Sequence, residues 1–178
     1  DNINPTITCP ANISVNASAG LCTASVIVPT PTTADNCSVA SVLNNYNNTA
    51  NASAIYPVGT TTVIWTVTDG SGNTANCSMT ITVVDNQNPT ITCPANVAIG
   101  TDDGECTATV NIAVPATADN CSVASVVNSF NGTNNASDIY PIGTTVITWT
   151  VTDVNGNITT CTQNVVVSDD EDPIITTC

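Results

Sequence analysis

The chain predicts an all-β fold, built as tandem immunoglobulin-like β-sandwich modules of about seven strands each. Three observations carry that expectation. The sequence repeats itself with a period of 84 residues, so that Cys9, Cys22, Cys37 and Cys77 recur as Cys93, Cys106, Cys121 and Cys161. Short Val/Ile/Thr runs alternate in polarity and are divided by Gly, Pro, Asn and Asp, with no helical periodicity. Each repeat also carries one tryptophan, Trp65 or Trp149, in a late strand. Residues 1–84 and 85–168 are the expected modules, and 169–178 opens a third.

Taken in order, residues 6–8 and 12–17 read as a first strand broken at Cys9-Pro10. Residues 22–30 form the next, with Val26, Val28 and Thr30 on one face; Val110, Ile112 and Val114 stand at those places in the second repeat. A proline-rich turn leads to Cys37, and 38–44 is a third strand. The Asn-rich stretch 44–54 reads as loop with at most a short edge strand. Residues 60–68 are the clearest strand, with Val63, Trp65 and Val67 facing inward and Thr62, Thr66 and Thr68 facing out. An Asp69-Gly70-Ser71-Gly72-Asn73 turn precedes the last strand, 75–84. Tyr56 and Tyr140, just before the Trp strand, stand near where a tyrosine corner occurs.

Composition removes whole classes of function. The 178 residues contain no Lys, Arg or His, and net charge is -14. Nucleic-acid binding needs cations to neutralise phosphates, so no nucleic-acid partner is expected. Attraction to anionic membranes fails for the same reason, and no apolar run approaches spanning length. Ser and Cys nucleophiles lack a His or Lys base, and no cation can hold an anionic intermediate, so no enzyme is expected. Regularly spaced cysteines place the chain in an oxidising setting, extracellular or at the cell surface. With no starting Met and no signal peptide, it reads as a mature piece of something longer.

Several segments also carry a family resemblance. Pro5-Thr6-Ile7-Thr8-Cys9-Pro10, Ala34-Asp35-Asn36, Tyr56-Pro57-Val58-Gly59-Thr60-Thr61 and Thr66-Val67-Thr68-Asp69, followed by Gly72-Asn73 and Cys77, resemble the hyalin repeat (HYR) domain. The resemblance covers essentially all of both repeats. It implies immunoglobulin-like modules of secreted or surface proteins, often in tandem, implicated in adhesion and without catalytic residues. It also implies a bacterial source. Tyr56, where Phe is common, and Cys22 and Cys37, which many members lack, depart from the pattern.

The cysteines admit more than one reading. Spacings of 13, 15 and 40 residues, without His, do not suit zinc. Alternating strand directions place Cys37 and the turn before Cys77 at one pole and Cys22 at the other. A strand of about seven residues spans on the order of 20 Å, while bridged Cα atoms lie about 4.4–6.8 Å apart. Cys22 is therefore not expected to reach a cysteine of its own module. One scheme pairs Cys37–Cys77 and Cys121–Cys161 within modules and Cys22–Cys93 and Cys106–Cys178 between them, leaving Cys9 to a preceding module. The family resemblance implies another, Cys9–Cys77 and Cys93–Cys161, which leaves Cys22 to Cys121 or to Cys37.

Recurring aspartates form the remaining candidate site. Asp1, Asp35 and Asp69 return as Asp85, Asp119 and Asp153, and the strand directions gather each set at one pole. With no cation in the chain to neutralise them, a bound Ca²⁺, which takes six to eight oxygen ligands, is the candidate cofactor. The linker Asp85-Asn86-Gln87-Asn88-Pro89 resembles the calcium-binding linkers of cadherins; the competing reading is of ordinary turn residues. Among many Asn-x-Ser/Thr sequons, Asn47, Asn51, Asn131 and Asn135 are the candidate glycosylation sites, because they recur in an exposed loop. The expected function is a structural segment of an extracellular rod or filament, stiffened by disulfides within and between modules, whose partners are similar modules end to end. The alternative is an adhesin whose modules bind a glycan or surface ligand directly.

Overall fold

A computed structural model describes residues 1–172. Sixteen strands and no helix form among the described residues, in two compact units, Asp1–Asn86 and a second beginning at Gln87. The first unit contains β1 (Thr6–Thr8), β2 (Ile13–Asn16), β3 (Thr23–Val26), β4 (Thr32–Ala34), β5 (Val39–Asn44), β6 (Ala54–Pro57), β7 (Gly59–Asp69) and β8 (Thr74–Val84). The second repeats them as β9 (Thr90–Thr92), β10 (Val97–Gly100), β11 (Thr107–Val110), β12 (Ala116–Ala118), β13 (Val123–Asn128), β14 (Asp138–Pro141), β15 (Gly143–Asp153) and β16 (Ile158–Ser168).

One layer of each unit is a four-stranded sheet, ordered β2-β8-β7-β5 in the first and β10-β16-β15-β13 in the second. Facing it are two short antiparallel pairs, β1 with β4 and β3 with β6, or β9 with β12 and β11 with β14. The first strand is thus shared between layers: β1 belongs to one face, and after Cys9-Pro10 the chain crosses to pair β2 in parallel with β8. Proline explains the crossing, since it cannot donate to a ladder. Two-layer immunoglobulin-like architecture follows from this arrangement.

Alternation along β7 sets the core. Val63, Trp65 and Val67 are fully buried, as are Ile147, Trp149 and Val151 on β15. Against them pack Ala24, Val26, Val28 and Tyr56 in the first unit, and Ala108, Val110, Ile112 and Tyr140 in the second. The buried face of the second predicted strand ends at Val28 and Ile112; Val114 is 57 % exposed. The reason is that β3 stops at Val26, and the Pro29-Thr30-Pro31 stretch interrupts the strand before it resumes as β4. The proline-rich segment, expected to be turn alone, holds β4, which pairs with β1; residues 45–53 are loop as expected, and β6 begins where that stretch ends.

Tyr56 and Tyr140 fix the corner into the long strands. Each is fully buried, and its hydroxyl donates to a backbone carbonyl four residues earlier, Ala52 and Ala136 respectively. A stacked ring, Tyr46 or Phe130, covers each at 4.4 Å between centroids. Burial raises the pKa of both hydroxyls above the ordinary tyrosine value, aided by Tyr46 beside Tyr56 and by Asp138 beside Tyr140. Gly59 and Gly143 then begin β7 and β15 with φ of 113° and 112°, a conformation that side-chain-bearing residues rarely adopt.

Candidate metal centre

Asp69 ends β7 and organises the tight turn into β8. Its Oδ1 accepts from the Ser71 and Asn73 amides, both at 2.8 Å, and its Oδ2 accepts from Asn73 Nδ2 at 2.7 Å. The Asn73 side-chain bond is the main reason the Asp69 pKa lies below the ordinary carboxylate value, with the backbone donors adding to it against a contrary effect of burial. In the second unit burial pushes the Asp153 carboxyl up. Bonds from Asn157, Asn155 and Gly156 outweigh it, and the net shift is downward. Asn157 Nδ2 reaches Asp153 Oδ2 at 2.7 Å, reproducing the first turn.

Asp35 and Asp119 come from the turn before β5 and β13. The Oδ2 of Asp35 accepts from the Cys37 and Ser38 amides, both at 2.9 Å; Asp119 does the same for Cys121 and Ser122 at 2.8 and 3.0 Å. Their other oxygens, Asp35 Oδ1 and Asp119 Oδ1, are buried and accept no hydrogen bond. Asp1 joins from the chain start, its Oδ1 taking the Ile3 amide at 2.9 Å while Asn73 Nδ2 reaches its carbonyl at 3.2 Å.

These turns bring carboxylate oxygens of Asp1, Asp35 and Asp69 within 4.8 Å of one another, and do the same for Asp85, Asp119 and Asp153. Asp69, Asp85 and Asp153 are buried. Carboxylates at this separation repel by roughly 3 kcal/mol per pair at an effective dielectric near 20. Buried oxygens with no donor add a desolvation penalty. A hard divalent cation relieves both, and an all-oxygen set suits Ca²⁺ rather than a softer metal. Asn73 and Asn157, which hold these carboxylates in place, were given no such role from the sequence, although each stands four residues after its aspartate.

The cysteines correct one expectation. Cys9 bonds Cys77 and Cys93 bonds Cys161, with Cα atoms 5.7 and 5.9 Å apart. The scheme of Cys37–Cys77, Cys121–Cys161 and Cys22–Cys93 is therefore overturned, as is the assignment of Cys9 to a preceding module. The cause is the strand crossing. β2 runs parallel to β8 with Ile13 opposite Ile81, and the same offset of 68 residues sets Cys9 beside Cys77. Cys37 and Cys106 are exposed free thiols, and Cys22 and Cys121 are disulfide-bonded. The expected Cys106–Cys178 bond involves a residue outside the described ones.

Asn47, Asn51, Asn131 and Asn135 all lie exposed in the loop before β6 or β14. They are not equivalent. Asn47 Nδ2 donates to the Asn51 carbonyl at 2.9 Å and Asn131 Nδ2 to that of Asn135 at 3.0 Å, so these two brace the loop. Asn51 and Asn135 use only Oδ1, accepting from Ser53 and Ser137 at 2.8 Å each. The hub of each loop is a buried asparagine that sequence reading missed, Asn44 or Asn128. Asn44 Oδ1 takes the Tyr46 and Asn47 amides, and its Nδ2 reaches Asn47 Oδ1 and the Thr49 carbonyl.

Hyalin of the sea urchin Strongylocentrotus purpuratus is 34% identical over 172 residues, an alignment covering 94% of this chain and 14% of hyalin. Hyalin of Lytechinus variegatus is 32% identical over 177 residues, covering 97% of this chain and 32% of that protein. The sushi, von Willebrand factor type A, EGF and pentraxin domain-containing protein 1 of Rattus norvegicus is 30% identical, covering 92% and 4%. The chain thus spans a minor part of each. Among solved structures, Drosophila N-cadherin EC1-4 aligns at 12% identity and TM-score 0.42, over 94% of this chain and 50% of that one. Sidekick-1 immunoglobulin domains 1–5 align at 11% identity and TM-score 0.46, over 93% and 39%.

The relatives are animal proteins, so the expectation of a bacterial source is not supported. The chain is extracellular or cell-surface, in keeping with these relatives and with its disulfides. Residues 1–83 and 84–167 each match the HYR domain, and the chain belongs to that family.

Proposed function

We propose that this chain is a non-enzymatic structural segment of an extracellular rod, in which each HYR module is clamped by an internal disulfide and by a Ca²⁺ held at its aspartate triad. The single observation that carries the reading is the recurrence of the triad: three carboxylates within 4.8 Å in each repeat, with Asp35 Oδ1 and Asp119 Oδ1 buried and unbonded. Asp1, Asp35 and Asp69 would hold one ion and Asp85, Asp119 and Asp153 the next. A cation there ties the first residues of a repeat to the two turns that close its long strands. Chain entry and module body are then one piece, which is what a load-bearing array requires. Its partners are similar modules end to end.

The rival reading, an adhesin whose modules bind a glycan directly, predicts an exposed aromatic platform. Trp65 and Trp149 are fully buried, which favours the rod. Glycans on the module, carried by Asn51 and Asn135, fit the rod as a solubilising coat.

Thermal unfolding with Ca²⁺ or with chelator tests the proposal. At calcium 100-fold above Kd, a filled site stabilises its repeat by about 2.7 kcal/mol, which raises Tm by at least about 10 °C for a module of this size. Asp35→Asn with Asp119→Asn should abolish the shift. A Tm indifferent to calcium would overturn the metal assignment, and binding of two modules on a glycan array would favour the adhesin.

A further inference from the structure

Four places in the chain set a side-chain carboxyl or amide directly before a glycine: Asp69-Gly70, Asp103-Gly104, Asn131-Gly132 and Asn155-Gly156. Such a pair can react with itself. With no side chain on the glycine, its backbone nitrogen can approach the preceding Cγ and close a five-membered succinimide ring. An amide is the better substrate, because ammonia leaves more readily than hydroxide. Between Asn131 and Asn155 the sequence does not choose; the structure does.

Three of the four glycine amides are held. Gly70 N donates to the Ser38 carbonyl at 3.1 Å, Gly104 N to Glu171 Oε1 at 2.7 Å and Gly132 N to the Asn128 carbonyl at 3.0 Å. Asn131 is bound through its side chain as well. Its Oδ1 accepts from Asn128 Nδ2 and from the Thr133 amide and hydroxyl, and its Nδ2 donates to the Asn135 carbonyl. Asn155 lies exposed in the turn between β15 and β16, and its side chain has no hydrogen bond among the described residues. The Gly156 amide reaches the Asp153 carbonyl only at 3.4 Å, beyond the usual range for N–H···O. At the matching place the first repeat has Ser71, which has no such chemistry.

We propose that Asn155 is a modification site, where succinimide formation with Gly156 deamidates the chain and leaves an iso-aspartyl linkage that unseats Asp153. The Gly156 nitrogen attacks Asn155 Cγ and gives up its proton. A C–N bond forms as the Cγ–Nδ2 bond breaks, and ammonia leaves with that proton. Water then opens the ring. Cleavage between the ring nitrogen and Cγ gives an ordinary aspartyl residue. Cleavage at the main-chain carbonyl, the more electrophilic of the two, gives a backbone that runs through Cγ. Water is consumed, ammonia is released, and nothing is oxidised or reduced.

The iso linkage adds one carbon to the main chain inside the loop that Asp153 closes. Beyond the insertion lie the Asn157 amide and Asn157 Nδ2, each 2.7 Å from the Asp153 carboxylate, and the Asn157 carbonyl that takes the Asp153 amide at 3.0 Å. Asp153 thus loses the donors that orient it, while Asp69 keeps its own. The change ages the second repeat alone, and its bearing on calcium rests on the metal reading above.

The test ages the full chain at neutral to mildly alkaline pH, cuts it with chymotrypsin and reads the peptides by a mass-spectrometric fragmentation that tells aspartyl from iso-aspartyl. Asn155 should convert first and chiefly to the iso form. Asn131 should be slower by a factor of at least about 10, because its side chain and the Gly132 amide must first break their bonds. Hydrogen exchange at residues 153–157 should speed up in aged chain, while residues 69–73 stay unchanged. Asn155→Ser, which installs the residue of the first repeat, should age with neither change. Freshly made Asn155→Asp, which adds the charge without the extra carbon, should keep the slow exchange. Conversion of Asn131 at a comparable rate, a purely aspartyl product, or aged chain that exchanges at 153–157 like fresh chain would each overturn the proposal. Calcium separates it from the metal reading: the ion should slow exchange at both turns of fresh chain, but only at the first turn of iso-linked chain. Protection of both turns in iso-linked chain would overturn the unseating of Asp153. Fresh chain indifferent to calcium sinks the metal and leaves the modification, which the peptide map and calcium-free exchange decide.

Discussion

The two repeats share a backbone plan but seat their tryptophans differently. Trp65 lies against Met79, and its Nε1 reaches only the Ala50 carbonyl at 3.4 Å. At the matching place the second repeat has Gln163, which accepts from Trp149 Nε1 at 3.1 Å and donates to the Ala95 carbonyl at 2.7 Å. One core is closed by an adaptable thioether, the other by a polar bridge to the start of β10's approach. Elsewhere a change of side chain keeps the bond: Asn45 Oδ1 takes the Ile64 amide at 2.8 Å and Ser129 Oγ the Thr148 amide at 2.9 Å. The lesson is that geometry is held in common, while the chemistry filling it is free wherever each polar atom finds a partner.

The largest test concerns what the repeats share. Each internal disulfide closes a sequence separation of 68 residues. Replacing Cys9 and Cys77 with alanine should cost the first unit about 4 kcal/mol, and Cys93 with Cys161 the same in the second. Denaturant unfolding followed by Trp65 or Trp149 fluorescence measures each unit. A loss confined to one repeat would show that the shared frame is not shared in energy.

The next test concerns what differs. Gln163→Leu leaves Trp149 Nε1 and the Ala95 carbonyl without their partner and should cost roughly 2 kcal/mol. Met79→Leu keeps volume and chemistry and should cost less than about 1.5 kcal/mol. Equal losses would mean that the polar bridge contributes nothing beyond packing.

The smallest effect comes from the tyrosine corners. Tyr56→Phe or Tyr140→Phe removes one buried hydroxyl bond, worth about 1 kcal/mol. Since both folded pKa values are raised, the neutral phenol is the form that the fold favours. Its contribution is fully present below the ordinary tyrosine value near 10 and is lost as pH rises through the folded value. Stability measured from pH 8 to 12 should fall for the native chain and flatten for the double Phe variant. An unchanged alkaline slope would contradict the assignment.

Much of the fold was legible because alternation and repetition report directly on burial. Val63-Ile64-Trp65-Thr66-Val67 can bury only one set of side chains, and it buries the expected one. β4 and β6 were less legible: the strands are short and lie among prolines or asparagines, where propensity is weak and pairing decides. The aspartates were legible as a set because the strand directions, read from the turns, put their sequence-distant positions at one pole. The loop hubs Asn44 and Asn128 were hidden, since a buried asparagine has no pattern apart from its partners.

By itself the sequence determined the repeat, the inward face of β7 and β15, and the absence of any cation to balance the aspartates. Which cysteines pair within a module was decided only in three dimensions. Spacing does not say that the first strand crosses from one layer to the other at Cys9-Pro10. Once it does, β2 lies parallel to β8 at a fixed offset, and that register sets Cys9 against Cys77 and Cys93 against Cys161. A disulfide needs its two Cα atoms within about 7 Å, and distances of that kind belong to the packing of layers, not to the order of residues.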